Sequence, residues 1–340
     1  MKNSRKIKFG SQPRLPFEEW DDEPASASGR PSARPSGAAA SEFELDAADI
    51  RAAKAPSGRL HYISFGSGSS GNSCYVGNDS GGVIIDAGIR ADRIADTLRE
   101  HGVSMRKVKA LILTHDHSDH VRFSYALLRE NRHLTLYCTP RVLNGLLRRH
   151  SISKRIKEYH TPIFKEIPFK VADMEITAFD VPHDGSDNMG FSIEYAGHNF
   201  VLATDLGSVS DRARHYMGRA NYLVIESNYD SDMLRLGRYP EYLKARIRSA
   251  NGHLDNRDTA AFLSDIITPE LKYIFLCHLS KDNNTPAIAM RETREALTAR
   301  GLTVGNAEET LSDRRADVQL MALPRFDPSR WFTFLPLRKE

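Results

Sequence analysis

An α+β fold, with two β-sheets packed together and helices outside them, is the class this sequence predicts. Three observations carry it: short β-rich runs outnumber helical ones, helices recur between them, and the second half of the ordered chain repeats the rhythm of the first. Hydrophobic residues make up 40% of the 340, enough for a real core.

The strand runs begin at LHYISF (60–65), and a Gly/Ser loop leads to SCYVG (73–77) and GVIID (82–86), each bounded by turn residues. IADTLREHG (94–102) has helical spacing and stops at Gly102. KALILT (109–114) is almost continuously apolar, which predicts a strand covered on both faces. FSYALLREN reads as a helix, LTLYC as a strand and RVLNGLLRRH as a helix. FKEIPFKV, MEITAFDV, GFSIEY and NFVLATD follow as strand after strand. ANYLVIES is a strand, YPEYLKARIRSA and RDTAAFLSDII are helices, KYIFLC is a strand and TPAIAMRETREALTARG a helix. The ordered domain is expected over 59–307.

Two flanks differ. From Pro24 to Ser41 every residue except Arg30 and Arg34 is Pro, Ala, Ser or Gly, too little apolar surface to offset ordering entropy. Residues 1–58 are therefore expected as a disordered tail, with room for a short helix near ELDAADIRAAK. Residues 308–340 carry exposed-looking aromatics and read as a C-terminal extension, either docked on the domain or free as a partner peptide. Gln319 and Leu320 resemble part of a sliding-clamp peptide, but Ala322 breaks that pattern.

Net charge is +3, so a nucleic-acid surface would have to be a local patch. Cys74, Cys138 and Cys277 lie far apart in apolar runs, which predicts buried small hydrophobes in a reducing compartment rather than disulfides. The N-terminus has no apolar signal region, and no run approaches the length of a membrane span. A cytoplasmic protein with no membrane partner is expected.

The stretch LILTHDHSDH (111–120) is the chemical centre of the sequence. Burying its five histidines and aspartates unpaired would cost about 1–7 kcal/mol each, so something must gather them. His115 and His117 are two apart and point the same way at an extended strand end. Asp119 and His120 follow where a helix would begin. Such a turn can send one pair to one metal ion and the second pair to another, and two metals roughly 3.5–4 Å apart clamp phosphoryl groups. Further ligands stand at strand ends: His183 after ITAFDVP, Asp205 after NFVLAT and His278 after KYIFLC. Each alone reads better as a satisfied polar residue at a strand edge; together they predict a dinuclear site, with Zn²⁺ or Mn²⁺ suited to mixed His and carboxylate donors.

These residues resemble the metallo-β-lactamase fold, an αββα sandwich of two mixed sheets, over about 60–305. FGSGSSGNS (65–73), ESNYD, GHLDN (252–256) and CHLSKDNN (277–284) are similar to the YycJ/WalJ branch, treated as 5′→3′ exonucleases on double-stranded DNA. The chain departs from that branch at Asp116, Tyr229 and Asp255, where Glu, His and Ser are often found. The resemblance implies that His115, His117 and His183 hold one cation, that Asp119, His120 and His278 hold a second, and that Asp205 bridges them. It implies phosphodiester hydrolysis by a metal-bridging hydroxide, with Asp119 orienting it and His253 as acid for the leaving oxygen; the structural alternative for His253 is a helix cap. Asp86 would orient a histidine, and Glu226 reads as a strand cap.

Ser69, Ser70 and Asn72 in the Gly/Ser loop suit phosphate contacts, although a tight turn explains the loop equally. Asn228, Ser280, Lys281, Asn283 and Asn284 are further phosphate candidates near predicted ligands. Six basic residues and no acid lie between Arg141 and Lys157; of these Arg148, Arg149, Lys154 and Arg155 either track a nucleic-acid backbone or form a solvated face. Rival functions stay open: a small-molecule phosphodiesterase or a thioester or lactone hydrolase on the same fold, or a non-catalytic, metal-stabilised nucleic-acid-binding protein.

Overall fold

The computed structural model describes residues 57–309 and 315–336. The helix expected near ELDAADIRAAK and nearly all of the expected tail lie outside the described residues.

The first sheet contains β1 (Leu60–Gly66), β2 (Ser73–Asn78), β3 (Gly81–Ile85), β4 (Val108–Ile112), β5 (Thr135–Cys138), β6 (His160–Pro162) and β15 (Phe332–Phe334). Its order is β15-β1-β2-β3-β4-β5-β6. Pairing is antiparallel from β15 to β3 and parallel from β3 to β6. The second sheet contains β7 (Phe169–Val171), β8 (Met174–Asp180), β9 (Met189–Tyr195), β10 (His198–Ala203), β11 (Tyr222–Glu226), β12 (Tyr273–Cys277), β13 (Val304–Asn306) and β14 (Val318–Ala322). Its order is β13-β14-β12-β11-β10-β9-β8-β7, antiparallel from β7 to β10 and parallel beyond. The fold is the expected α+β sandwich of two mixed sheets.

The period-two alternation of the strands decides where each side chain goes. Tyr222 and Val224 of β11, with Phe275 and Cys277 of β12, face the core between the sheets. Leu223, Ile225, Ile274 and Leu276 face the opposite way, into a second core. That core is closed by α5 (Asp211–Met217), α8 (Asn256–Ile266) and α9 (Pro286–Ala299). Between the sheets, the Tyr62 ring of β1 lies 4.9 Å from that of Phe200 and 5.0 Å from that of Phe275.

On the other side, α1 (Ala91–Glu100) buries Ile94 and Leu98 and is followed by Gly102 at φ 75°, where a side chain would be strained. Helix α4 (Pro140–Arg149) opens with Pro140 after Thr139, whose hydroxyl accepts from the Val142 N–H. The short helices α2 (Ser118–Val121), α3 (Ser124–Glu130), α6 (Ser231–Leu236) and α7 (Glu241–Ile247) are the other α-helices among the described residues. All three cysteines are buried and unpaired. No described helix is long and apolar enough to cross a membrane.

The boundary expected at residue 307 needs correction. Strand β14 lies inside the second sheet, hydrogen-bonded to β12 and to β13, while β15 edges the first. Gln319 and Leu320 belong to β14, and Leu320 is buried, so they are not a free peptide.

Candidate metal centre

Both sheets deliver the carboxyl ends of parallel strands to one edge of the sandwich, the usual place for a ligand in open α/β sheets. Asp86 follows β3, the histidine motif follows β4, Asp205 follows β10, Glu226 closes β11 and His278 follows β12. Asp86, Asp205 and His278 have φ of 61°, 52° and 53°. Non-glycine residues pay about 1–3 kcal/mol for such backbone, a strain that clusters at functional sites.

His117 is extended and immediately precedes α2, so the motif is a strand end running into a helix. His115, His117 and His183 bring donor atoms within 4.8 Å of one another; so do Asp119, His120 and His278, and so do His115, His120 and Asp205. Asp205 joins the groups: Oδ2 is 3.1 Å from His120 Nε2, and Oδ1 is 3.2 Å from His278 Nδ1 and 3.8 Å from His183 Nε2.

The histidines are held from behind. The His120 Nδ1 and Asp86 Oδ2 are 2.7 Å apart, and Asp86 also accepts from the Thr114 N–H and hydroxyl, both at 2.8 Å. The Thr114 hydroxyl is 2.9 Å from His115 Nδ1, and His183 Nδ1 is 2.9 Å from the Gly252 carbonyl. Such contacts fix the tautomer and aim the other nitrogen at the centre. Asp116, the remaining acid of the motif, is turned away; it accepts from the Ser186 N–H and hydroxyl and so secures the loop after His183.

The donor set fits cations. His115 Nε2 is buried and has no hydrogen-bond partner among the described residues, a costly state unless an electrophile meets it. Burial, reinforced by the His120 charge, holds His115 well below the usual imidazole range, in the neutral form that ligates. Burial would also lower His278, but Asp205, Asp119 and Glu226 push it up to about 10. Asp205 stays ionised although burial opposes it, because His278 and His120 hold its carboxyl well below the carboxylate range. This negative field is what a divalent ion would compensate.

Glu226 is more than a strand cap. Fully buried, its Oε1 lies 2.7 Å from His253 Nδ1 and 2.9 Å from His278 Nδ1, and its Oε2 accepts from the Leu206 and Leu254 N–H groups. The signal was available: YLVIE ends an apolar strand on an acid, as NFVLATD nearly does. His253 is not the cap of α8; Asp255 is, accepting from the Arg257 and Asp258 N–H groups. Burial alone would lower His253, but the Glu226 carboxylate raises it.

The phosphate candidates divide. The Asn72 amide reaches His120 Nε2 at 2.9 Å and Asp119 Oδ2 at 3.1 Å, whereas Ser69, Ser70 and Lys281 are exposed. The Asn228 amide donates to the His278 carbonyl at 2.8 Å. Asn284 is buried, its amide donating to the Ser227 and Asn228 carbonyls, so it anchors loops and is not free for substrate. Ser280 and Asn283 are buried beside it, the Asn283 N–H donating to the Ser280 hydroxyl. Among the basic residues, Arg155 is bidentate on Glu158, Arg149 lies 3.6 Å from Asp116, and Arg148 donates to the Asn144 carbonyl. Lys154 is exposed.

A family model, described as a beta-lactamase superfamily domain, matches residues 82–278. The chain belongs to that superfamily. Within the superfamily it is 34% identical to Exodeoxyribonuclease YycJ of Bacillus anthracis, over 74% of this chain and 94% of the relative. It is 32% identical to Exodeoxyribonuclease WalJ of Streptococcus pneumoniae, over 72% of this chain and 90% of the relative. The fold is similar to that of the metallo-beta-lactamase fold protein YhfI from Bacillus subtilis, with TM-score 0.59 and 14% identity over 81% of this chain and all of that one. This chain is thus an enzyme of the superfamily's hydrolase class.

Gly88 tests how tightly the centre is packed, since a Cβ there would lie 1.6 Å from the Asp119 carbonyl oxygen and 2.6 Å from Asn72 N. Gly88→Ala is expected to displace Asp119, destabilise the protein by about 1–3 kcal/mol and weaken metal binding. Thermal melting and metal titration check this; wild-type values in both would show that the loop yields freely.

Proposed function

We propose that the chain is a dinuclear metal-dependent exonuclease that hydrolyses double-stranded DNA from the 5′ end. The observation that carries this reading is the meeting of two donor triads at Asp205. The exodeoxyribonuclease relatives supply the substrate class. His115, His117 and His183 would hold one ion and Asp119, His120 and His278 the other, with Asp205 between them; Zn²⁺ and Mn²⁺ both suit this donor set. Bound there, the ions supply an acidified water and neutralise charge on the phosphoryl oxygens.

The protein's own groups do the rest. Asp86, Thr114, the Gly252 carbonyl and Glu226 hold the histidine rings in place. Asp119, one-fifth exposed, borders the centre and can orient the attacking water. His253, held by Glu226 through Nδ1, leaves Nε2 to protonate the departing 3′ oxygen. Asn72, buried and bonded to the Gly68 carbonyl, Asp119 and His120, braces the candidate ligands.

The reading is tested with Mn²⁺- or Zn²⁺-loaded protein on end-labelled, 5′-phosphorylated duplex DNA, beside His117→Ala. Mononucleotide release from the 5′ end by wild type alone is expected. Absence of DNA cleavage by metal-loaded wild type, with turnover of a small phosphodiester or a thioester, would refute it. His253→Gln is expected to lower kcat on DNA by about 10²–10⁴ while retaining metal. On a nitrophenyl diester, whose leaving group needs no proton, that loss should largely vanish; equal losses on both would remove the acid role.

A further inference from the structure

Helices α6 and α7, joined by the turn Gly237–Pro240, form a short arm whose exposed face no part of the proposed mechanism uses. It holds the two most exposed large hydrophobic side chains among the described residues, Leu236 at 74% and Tyr242 at 76%. Isolated apolar side chains on a surface are ordinary, but here three further features coincide.

The arm is fixed rather than loosely attached. Lys244, itself buried, donates to the Arg235 carbonyl at 2.9 Å and so locks one helix to the other. The Tyr239 hydroxyl donates to Asp282 at 2.8 Å, and a Cβ on Gly237 would sit 2.6 Å from Asn283 Oδ1. These contacts seat the turn on the loop that follows His278. At its other end, Arg246 Nε donates to Asp184 Oδ2 at 2.7 Å, and Asp184 Oδ1 lies 3.3 Å from His117 Nε2. The arm therefore spans the loops after two candidate ligands, His278 and His183.

It is also basic. Residues 231–250 contain five Arg and Lys and two Asp and Glu, a net +3 that equals the formal charge of the whole chain. Arg235 is answered by Asp232 and Arg246 by Asp184, whereas Arg238 and Arg248 are exposed and make no ion pair among the described residues. A polyanion beside the centre matches that charge. An arm that carries both exposed apolar and aromatic side chains and arginines without an ion pair matches an unpaired base, which has an apolar face and an adjoining phosphate. The candidate ligands His115, His120, Asp205 and His278 are buried, which favours approach by a single frayed strand over a stacked duplex terminus.

We propose that the α6–α7 arm receives the duplex end, Leu236 and Tyr242 packing on the terminal base as it leaves its partner and Arg238 and Arg248 meeting the flanking phosphates. This rests on the nuclease reading above, and the test separates the two. Full-length Mn²⁺-loaded wild type, Leu236→Ser/Tyr242→Ser and Arg238→Gln/Arg248→Gln are compared on three substrates: a blunt 5′-phosphorylated duplex, the same duplex with mispaired terminal nucleotides, and thymidine 5′-p-nitrophenyl phosphate. For the apolar pair, kcat/KM on the blunt duplex is expected to fall about ten-fold or more, to recover on the mispaired end, and to change less than about two-fold on the small diester. The arginine pair is expected to weaken duplex binding and flatten its salt dependence by about two units of slope at most. Unchanged duplex digestion by the apolar pair, with active wild type, would overturn the arm's role, leave the nuclease intact and point the patch to a protein partner. An equal fall on the small diester, or no recovery on mispaired ends, would overturn it too, as a support for the centre only. Wild type that cleaves the small diester and no duplex refutes the nuclease reading and this proposal together.

Discussion

Asp205→Ala is expected to abolish metal-dependent hydrolysis, with kcat/KM lowered by about a thousand-fold or more, on the basis that metal-ion stabilisation supplies several kcal/mol and each 1.4 kcal/mol is ten-fold. Asp205 is the carboxylate that approaches His120 at 3.1 Å and His278 at 3.2 Å while also lying 3.8 Å from His183 and from His253. No other acid of the centre comes within salt-bridge range of all four. Asp119 reaches His120 and His278, and Glu226 reaches His253 and His278. Without Asp205 the His115, His117 and His183 group loses its link to the second triad, so metal content should fall along with rate. Elemental analysis after exhaustive dialysis and a thermal melt with and without Zn²⁺ or Mn²⁺ read this directly. A variant that keeps its metal and hydrolyses within ten-fold of wild type would remove Asp205 from the centre.

The parts of this centre that can be read from the sequence are those where chemistry and strand position coincide. The 115–120 motif is dense enough to need no fold, and Asp205 and His278 stand just past continuous apolar runs that read as strands. The two-sheet class with helices outside follows from the number and rhythm of such runs, and the resemblance to the metallo-β-lactamase fold makes it an αββα sandwich. What could not be read depends on which way a side chain turns. Asp116 sits inside the motif yet points at Ser186, and Asn284 is six residues past His278 yet is spent on backbone carbonyls. Glu226 ends its strand as Asp205 nearly does, but its partners His253 and His278 are 27 and 52 residues away, and only tertiary contact makes it more than a cap. Arg155 looked free in a run without acids; its partner Glu158 lies one position beyond the end of that run.

The C-terminal strands are the largest case of this kind, and they set up the second large effect. A chain ended at residue 307 is expected not to fold. Strand β13 meets the second sheet only through β14, so removing β14 strands β13 and bares the edge of β12, an apolar strand buried on both faces. Val318, Leu320, Met321, Leu323, Phe332 and Phe334 are all buried. At about 1.5–3 kcal/mol each, their burial is of the same size as the net stability of a domain, about 5–15 kcal/mol. The shortened chain avoids ordering that segment, yet the remainder keeps its own ordering cost while losing the cover over Tyr222, Tyr273 and Phe275, whose rings lie within 5.2 Å of Phe332 or Phe334. The same segment also steadies the centre: the Ser67 N–H donates to the Pro324 carbonyl, and Arg325 donates to the carbonyls of Leu279 and Ser280, just after His278. Arg325→Ala, which leaves both sheets intact, should therefore fold and melt close to wild type but bind metal more weakly. Circular dichroism, thermal melting and metal titration distinguish the outcomes. A soluble, cooperatively melting 1–307 chain would show that the last strands are an accessory, and wild-type metal affinity in Arg325→Ala would show that they hold the sheets without touching the chemistry.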